Sequence, residues 1–345
     1  MLISYFVHAS GHAHDLTQSQ AVAAIHPQES LVQLGRKLFL DTRLSRDGTI
    51  SCDSCHQPER AFTDGKPRAE GIYGQLGTRN TPSLYNATYT DAKFWDGRRH
   101  NLTEQVLDPF INSREHGLAN HTELLQRFQT AKDYAKPFQA AFKRSLTQST
   151  TTDLAEALSA YINHLKPQPT RLERYLSGHG NTEFSAAEQQ GLELFRGRAH
   201  CADCHHLSTH TAPLTDGDYH TRGIGLSQLS SRLAKLTKAL AVKALPDRER
   251  AIGEDPDIAT LGRFVVTLYP SDLGKFKTPS LYDVALTAPY MHDGSLATLE
   301  AAVDWELYYQ GQESRQPIVL SQSERANLLA FLRALTTTPR TGPSS

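Results

Sequence analysis

The stretch Cys52-Asp53-Ser54-Cys55-His56, CDSCH, returns in the second half of the chain as Cys201-Ala202-Asp203-Cys204-His205, CADCH. These two C-x-x-C-H motifs contain all four cysteines. C-x-x-C-H is the attachment signature of a c-type haem. Two thiols separated by two residues reach the same side of a porphyrin as thioethers, and the next residue, His, falls under the iron as proximal ligand. Two other readings compete. Zinc ribbons set their cysteine pairs about 15–20 residues apart, whereas these pairs lie in opposite halves of the chain. A thiol–disulfide motif has no need of the histidine that follows both copies. The motifs therefore predict two covalent c-type haems. Cys52, Cys55 and His56 hold one; Cys201, Cys204 and His205 hold the other. Covalent attachment in turn implies export to the periplasm.

The chain around them has 345 residues, a length that suits two domains. Hydrophobic residues make up 39% and charged residues 21%, the composition of a soluble globular protein. A formal net charge of −1 offers no field for nucleic acid or for an anionic membrane. No apolar run approaches the roughly 18 residues of a membrane span. Residues 1–29 read as an N-terminal tail. Met1 to Val7 is apolar and Ala9-Ser10-Gly11 resembles a cleavage region, yet no basic segment precedes them and the run is short for a secretory signal. A signal remnant and a frayed terminus both remain as readings.

More than the cysteine motif repeats. GRKLF (35–39) precedes the first motif and GLELF (191–195) the second. Downstream, TPSLYNATYTDAKFWDGRRHNLTE (81–104) is similar to TPSLYDVALTAPYMHDGSLATLE (278–300), with Trp95 and His292 equally far from the start of each segment. Each half closes on a helical pattern, LAEALSAYINHL (154–165) and ERANLLAFLRAL (324–335). The fold class is therefore mainly α: two cytochrome c-like haem domains related by duplication, residues 30–166 and 167–345. KPQPTR (166–171) is the natural linker, its prolines stopping the preceding helix. Beyond SGHGNT, Ser185 is placed to cap the next helix, with Glu188 completing a capping box. The halves differ between the cysteine motif and TPSL, where the second carries a long extra segment. Its 227–250 portion, SQLSSRLAKLTKALAVKALPDRER, has the pattern of a basic amphipathic helix. It reads as a solvated surface helix, with a docking surface as the alternative.

Two C-x-x-C-H motifs on repeated units, together with RNTPSLYNA…FWDGR and LTAPYMHDGSLATLE, resemble the di-haem cytochrome c peroxidase/MauG superfamily. The resemblance runs from about Ser30 to Leu335. It implies that the N-terminal haem, on His56, handles peroxide. It puts Trp95 between the haems as an electron relay, against the ordinary reading of a core tryptophan. It puts Gln105, Pro109 and Glu115 in the distal pocket. A carboxylate there makes chemical sense, because peroxide heterolysis needs a base that takes a proton from one oxygen and returns it to the other. An apolar pocket would give it a suitably raised pKa. The resemblance also implies one Ca2+ between the domains, held by Asn80, Thr287 and Pro289, and Ca2+ accepts such neutral oxygens.

Two features separate this sequence from the peroxidase pattern of that superfamily. The peroxidases cap the N-terminal haem with a histidine from the loop after the motif, and residues 57–99 contain none. The first haem is then expected to be open to peroxide, as in the MauG-like branch. The peroxidases ligate the second haem with Met, but only Met1 and Met291 exist here. The MauG-like branch uses Tyr, which points to Tyr308, three residues before Gly311. Tyr309 and Glu306 are the alternatives, Glu306 standing at the family's usual spacing from His292. His200 and His206, flanking the second motif, read as surface or propionate-contacting residues.

The leading functional expectation is an H2O2-dependent di-haem oxidoreductase of MauG-like type, which oxidises a redox partner protein through high-valent iron. The alternatives are a periplasmic peroxidase that removes H2O2 with electrons from a small cytochrome or copper protein, and a di-haem cytochrome that only transfers electrons.

Overall fold

The computed structural model describes residues 27–88, 90–165, 170–178, 184–207 and 213–337. The expected N-terminal tail up to residue 26, the linker prolines 167 and 169 and most of SGHGNT lie outside the described residues. The helices of eight residues or more are α1 (Pro27–Phe39), α2 (His121–Thr130), α3 (Ala135–Phe142), α4 (Thr151–His164), α5 (Ala186–Arg196), α6 (Leu233–Ala241), α7 (Leu245–Glu254), α8 (Leu299–Ser314) and α9 (Gln322–Arg333). Among the described residues, strand is confined to β1 (Tyr219–Thr221) and β2 (Lys275–Lys277), an antiparallel pair in which His220 faces Phe276. The mainly helical class read from the sequence is what the chain adopts.

Each half is built on one pair of packed helices, and the repeated GRKLF and GLELF segments explain how. Leu34, Leu38 and Phe39 put a buried apolar stripe on α1, and α4 answers with Leu154, Ala157, Leu158 and Ile162. The axes come so close at Gly35 that a Cβ there would overlap the Ala157 carbonyl. Gly191 opens GLELF and does the same in the second half, lying against the Asn327 carbonyl of α9 while Leu192 and Phe195 pack on Leu328 and Phe331. Burying such side chains contributes about 1.5–3 kcal/mol each. The helix start at Ser185 is capped as the sequence predicts. The Ser185 N–H donates to Glu188 Oε2 at 2.7 Å and the Glu188 N–H to Ser185 Oγ at 3.3 Å. Thr150 with Asp153 and Ser321 with Glu324 repeat the device at α4 and α9.

The two TPSL segments, with the turns directly after them, match position by position. Short bridges join Lys93 to Arg99 and Tyr290 to Leu296. Phe94 and Met291 both take positive φ, 65° and 72°, as do Gly97 and Gly294. The two segments are also strapped to each other. The Asn80 N–H donates to the His292 carbonyl at 2.8 Å, and the Lys277 N–H donates to the Trp95 carbonyl at 2.8 Å.

The 227–250 segment departs from its reading as one solvated helix. It breaks into α6 and the start of α7, because Pro246 fits the first turn of a new helix and not the interior of an old one. Lys235 and Lys238 on α6 are exposed. Leu240 and Ile252 instead join Leu261, Phe264 and Val265 in a small core of their own. The α7 region then packs on the first half: Arg99 pairs with Glu249 at 2.9 Å, and Thr78 Oγ1 donates to the Ile252 carbonyl at 2.7 Å. No helix among the described residues is long and apolar enough to cross a membrane.

Candidate functional site

Each C-x-x-C-H motif sits on one tight helical turn, with its histidine directly after it. His56 Nδ1–H donates to the Phe62 carbonyl at 2.8 Å, and His205 Nδ1–H donates to the Leu214 carbonyl at 2.7 Å. A carbonyl can only accept, so in both rings Nε2 is left to bind a metal. Phe62 and Leu214 take the same left-handed turn, φ 59° and 53°, to present those carbonyls. Burial lowers the pKa of both histidines and keeps the imidazoles neutral, as ligation requires. The four thiols are unpaired. Burial pushes Cys52, Cys55 and Cys201 up to about 12 and Cys204 to about 11. A reactive redox cysteine requires the opposite shift. Cys55 and His56 line the first cavity, with Cys52 on the same helical turn, and Cys201, Cys204 and His205 line the second. Partly buried thiols beside a neutral, oriented imidazole fit a c-type haem in each.

The first cavity is lined by Cys55, His56, Trp95, Arg98, Gln105, Pro109, Asn112 and Glu115. Gln105 ends a short helix capped by Asn101, whose Oδ1 accepts from the Glu104 N–H at 2.9 Å. Pro109 begins the next helical turn, and the chain folds back so that Asn112 Nδ2 donates to Glu115 Oε1 at 2.6 Å. Burial pushes the Glu115 carboxyl up to about 7, against the pull of Arg98. Ile252 and Gly253 of α7 complete the wall, so the inserted segment closes this cavity.

Trp95 lines both cavities. Its Nε1–H donates to the Asn80 carbonyl at 3.0 Å, which fixes the ring in the partition between them. The next residue, Asp96, is fully buried. Burial alone would raise its pKa, but Arg98 at 3.0 Å and Arg79 at 2.5 Å hold it at about 2. His292 is Trp95's counterpart in the second half. It stacks on Phe276 at 3.7 Å between centroids, and its Nε2 has no partner.

The second cavity is lined by Cys201, Cys204, His205, His220, Arg222 and one face of α8, comprising Leu299, Ala302, Val303, Glu306, Leu307 and Gln310. Asn80, Thr287 and Pro289 lie in its wall together. This geometry places Tyr308 off the cavity wall. Two residues past Glu306 on a helix is a turn of about 200°, so Tyr308 points away from the cavity and is 59% exposed. Tyr309 packs over Gly223 and against Trp305, also off the cavity wall. Glu306 is the one of the three candidates that faces in, and Arg222 Nε holds it at 2.7 Å. Met291 also lines this cavity, at the position Phe94 holds in the first. His200 touches the wall, and His206 bonds the Asp203 carbonyl at 3.2 Å on the surface.

Sequence reasoning missed several groups that the fold brings to these walls. Asp216 and His220 pair at 2.8 Å beside Cys204, and Arg222, Lys93 and Lys277 carry buried charge into the cavities. None stands in a recognisable local motif. Asn112 had a signal, since its spacing to Glu115 is that of a side-chain-bonded turn.

The family model for di-haem cytochrome c peroxidase matches residues 29–181. The cytochrome-c peroxidase IdrP2 of Denitromonas iodatirespirans is 32% identical over 90% of this chain and 82% of its own. The chain belongs to the di-haem cytochrome c peroxidase family. The methylamine utilization protein MauG of Methylorubrum extorquens is 31% identical over 89% of this chain and 78% of its own. Among solved structures, a MauG-like protein associated with microbial copper homeostasis superposes with a TM-score of 0.71, at 32% identity and over 90% of each chain. As a member of this family, the protein is a peroxidase-type oxidoreductase, the family implies two c-type haems, and the two cavities are where its residues fit them. Relatives carry both the peroxidase and the MauG name, so the family does not choose between those activities.

Proposed function

We propose that this protein is an H2O2-dependent di-haem oxidoreductase of MauG-like type, with an open first haem site and a capped second one. The observation that carries this is the first cavity. Glu115, Gln105 and Pro109 gather in one wall with His56, and among the described lining residues His56 is the sole histidine. Haem held by His56 would supply the iron that binds peroxide and changes its oxidation state. Glu115 is placed to act as the base that would take a proton from one oxygen of H2O2 and return it to the other. Asn112 holds the Glu115 carboxyl in place, and Trp95 spans the partition across which electrons pass to the second site. Oxidation of a partner protein is supported by a run of rings on α8: Tyr308 at the surface meets Tyr309 at 5.3 Å, which meets Trp305 at 5.4 Å.

Within this reading, residues 30–166 and 167–345 are two haem domains related by duplication, and the chain works in the periplasm. Glu306 replaces Tyr308 as the candidate distal group of the second haem. Asn80, Thr287 and Pro289 hold one Ca2+. Asn80 Nδ2 is engaged by the Lys66 carbonyl at 2.9 Å, so Oδ1 is the atom it offers. Elemental analysis that finds no calcium in the purified protein would remove that assignment.

The test is spectroscopic. Optical and EPR spectra of the resting ferric protein should show one high-spin and one low-spin haem, and H2O2 should alter both without prior reduction. A requirement for pre-reduction would establish the peroxidase that draws on a small donor protein. Two low-spin haems indifferent to peroxide would establish an electron-transfer cytochrome.

A further inference from the structure

Two lysines are buried in the cavity walls without a carboxylate at ion-pair distance among the described residues. Lys93 and Lys277 are each 8% exposed. Their ammonium groups close on one residue from two sides. Lys277 Nζ donates to Thr90 Oγ1 at 3.0 Å, while Lys93 Nζ donates to the carbonyls of Thr90 and, at 2.8 Å, of Ala87. Neither forms an ion pair with a described residue. Lysine is almost never fully buried unless paired, and two like charges side by side compound the cost. Burial and the neighbouring Lys93 push the Lys277 amine down to about 8. A pair of buried cations that keeps spare donors and faces a cavity is a site for an anion. Their placement differs in one respect. Lys93 lines the first cavity alone, while Lys277 lines both. Lys277 is also strapped by its backbone to Trp95.

We propose that Lys93 and Lys277 form a clamp for the carboxylates of the haem propionates, Lys93 serving the first haem and Lys277 reaching both. The proposal rests on the two-haem reading of the cavities. It makes Lys277 a positioning residue shared by the two centres. An ammonium close to both haems would disfavour the ferric form of each and so raise both potentials. A carboxylate accepting from Lys277 would be held by a residue whose own N–H donates to the Trp95 carbonyl at 2.8 Å.

The experiment is a potentiometric titration of the purified di-haem protein followed by its optical spectrum, with haem content counted by the pyridine haemochrome assay. Fewer than two haems in the unaltered protein would be a failure of the two-haem reading itself, separate from the clamp. With two haems present, Lys277→Met should lower both midpoint potentials, Lys93→Met should lower that of the first haem only, and Lys277→Arg should restore both. Lys277→Gln, which keeps a donor for Thr90 while removing the charge, should behave as Lys277→Met and serves if the methionine variant does not accumulate. Unmoved midpoints in both neutral Lys277 variants, or an equal shift in Lys277→Arg, would overturn the proposal.

Discussion

At the scale of single residues, the chemistry turns on two carboxylates in unlike settings. Glu115 is protonated more readily than an ordinary glutamate because its cavity resists charge. As the base that accepts a peroxide proton it must be ionised, so the rate of reaction with H2O2 should rise with pH through about 7. Glu115→Gln should slow that reaction by about 10²–10⁴-fold and flatten the pH profile, as stopped-flow mixing would show. The same shift has a thermodynamic side. A carboxyl whose folded pKa is raised weakens the folded state as pH climbs from the ordinary carboxylate range to about 7. Glu115→Gln should therefore raise Tm at pH 8 and leave it nearly unchanged at pH 4. Glu306 is held instead by Arg222. Glu306→Gln should alter the low-spin spectrum of the second haem and Tyr308→Phe should leave it intact; the reverse pattern would return the ligand to Tyr308.

At the scale of elements, much was legible from one-dimensional pattern. Helix starts follow from Ser, Thr, Asp and Glu at fixed spacing, and Gly35 and Gly191 stand at the same place in GRKLF and GLELF because both helix pairs need the same close approach. Gly35→Ala, and separately Gly191→Ala, should each destabilise by about 1–3 kcal/mol through overpacking. Chemical denaturation would check it, and a neutral outcome would mean the helix axes can part without cost. The side of α8 that Tyr308 takes is something pattern cannot supply. Counting back from Gly311 and counting on from His292 give answers two residues apart, and only the observed phase of α8 shows which side faces the cavity. The inserted segment was only partly legible. Its apolar residues look like one face of a surface helix until Pro246 splits it and the second piece finds Arg99 and Thr78.

At the scale of the whole molecule, contacts between distant segments decide the site, and these were the least legible. Arg79 reaches Asp96 and also the Ala259 carbonyl at 2.8 Å, while Arg263 donates to the Asp96 carbonyl at 3.0 Å. Asp96 is thus the anion at a junction of the first half and the inserted segment. Asp96→Asn would leave Arg79 and Arg98 with a buried, uncompensated charge, at a cost of about 3–5 kcal/mol, read as a loss in unfolding free energy. Because the Asp96 pKa is depressed, its contribution is present above the ordinary aspartate range and lost as pH falls towards about 2. The difference between the two proteins should then shrink in acid.

The reciprocal straps, Asn80 to His292 and Lys277 to Trp95, carry one more consequence. Residues 80–83 help wall the second cavity, and Lys277, Pro279, Ile252 and Gly253 help wall the first. Neither half owns a finished pocket. Taken alone, the first half carries a haem-attachment motif whose enclosure is completed by residues 252–279. Cutting the chain between the halves should give two fragments that keep their helix pairs and lose their pockets, and mixing them should rebuild both pockets at once or neither.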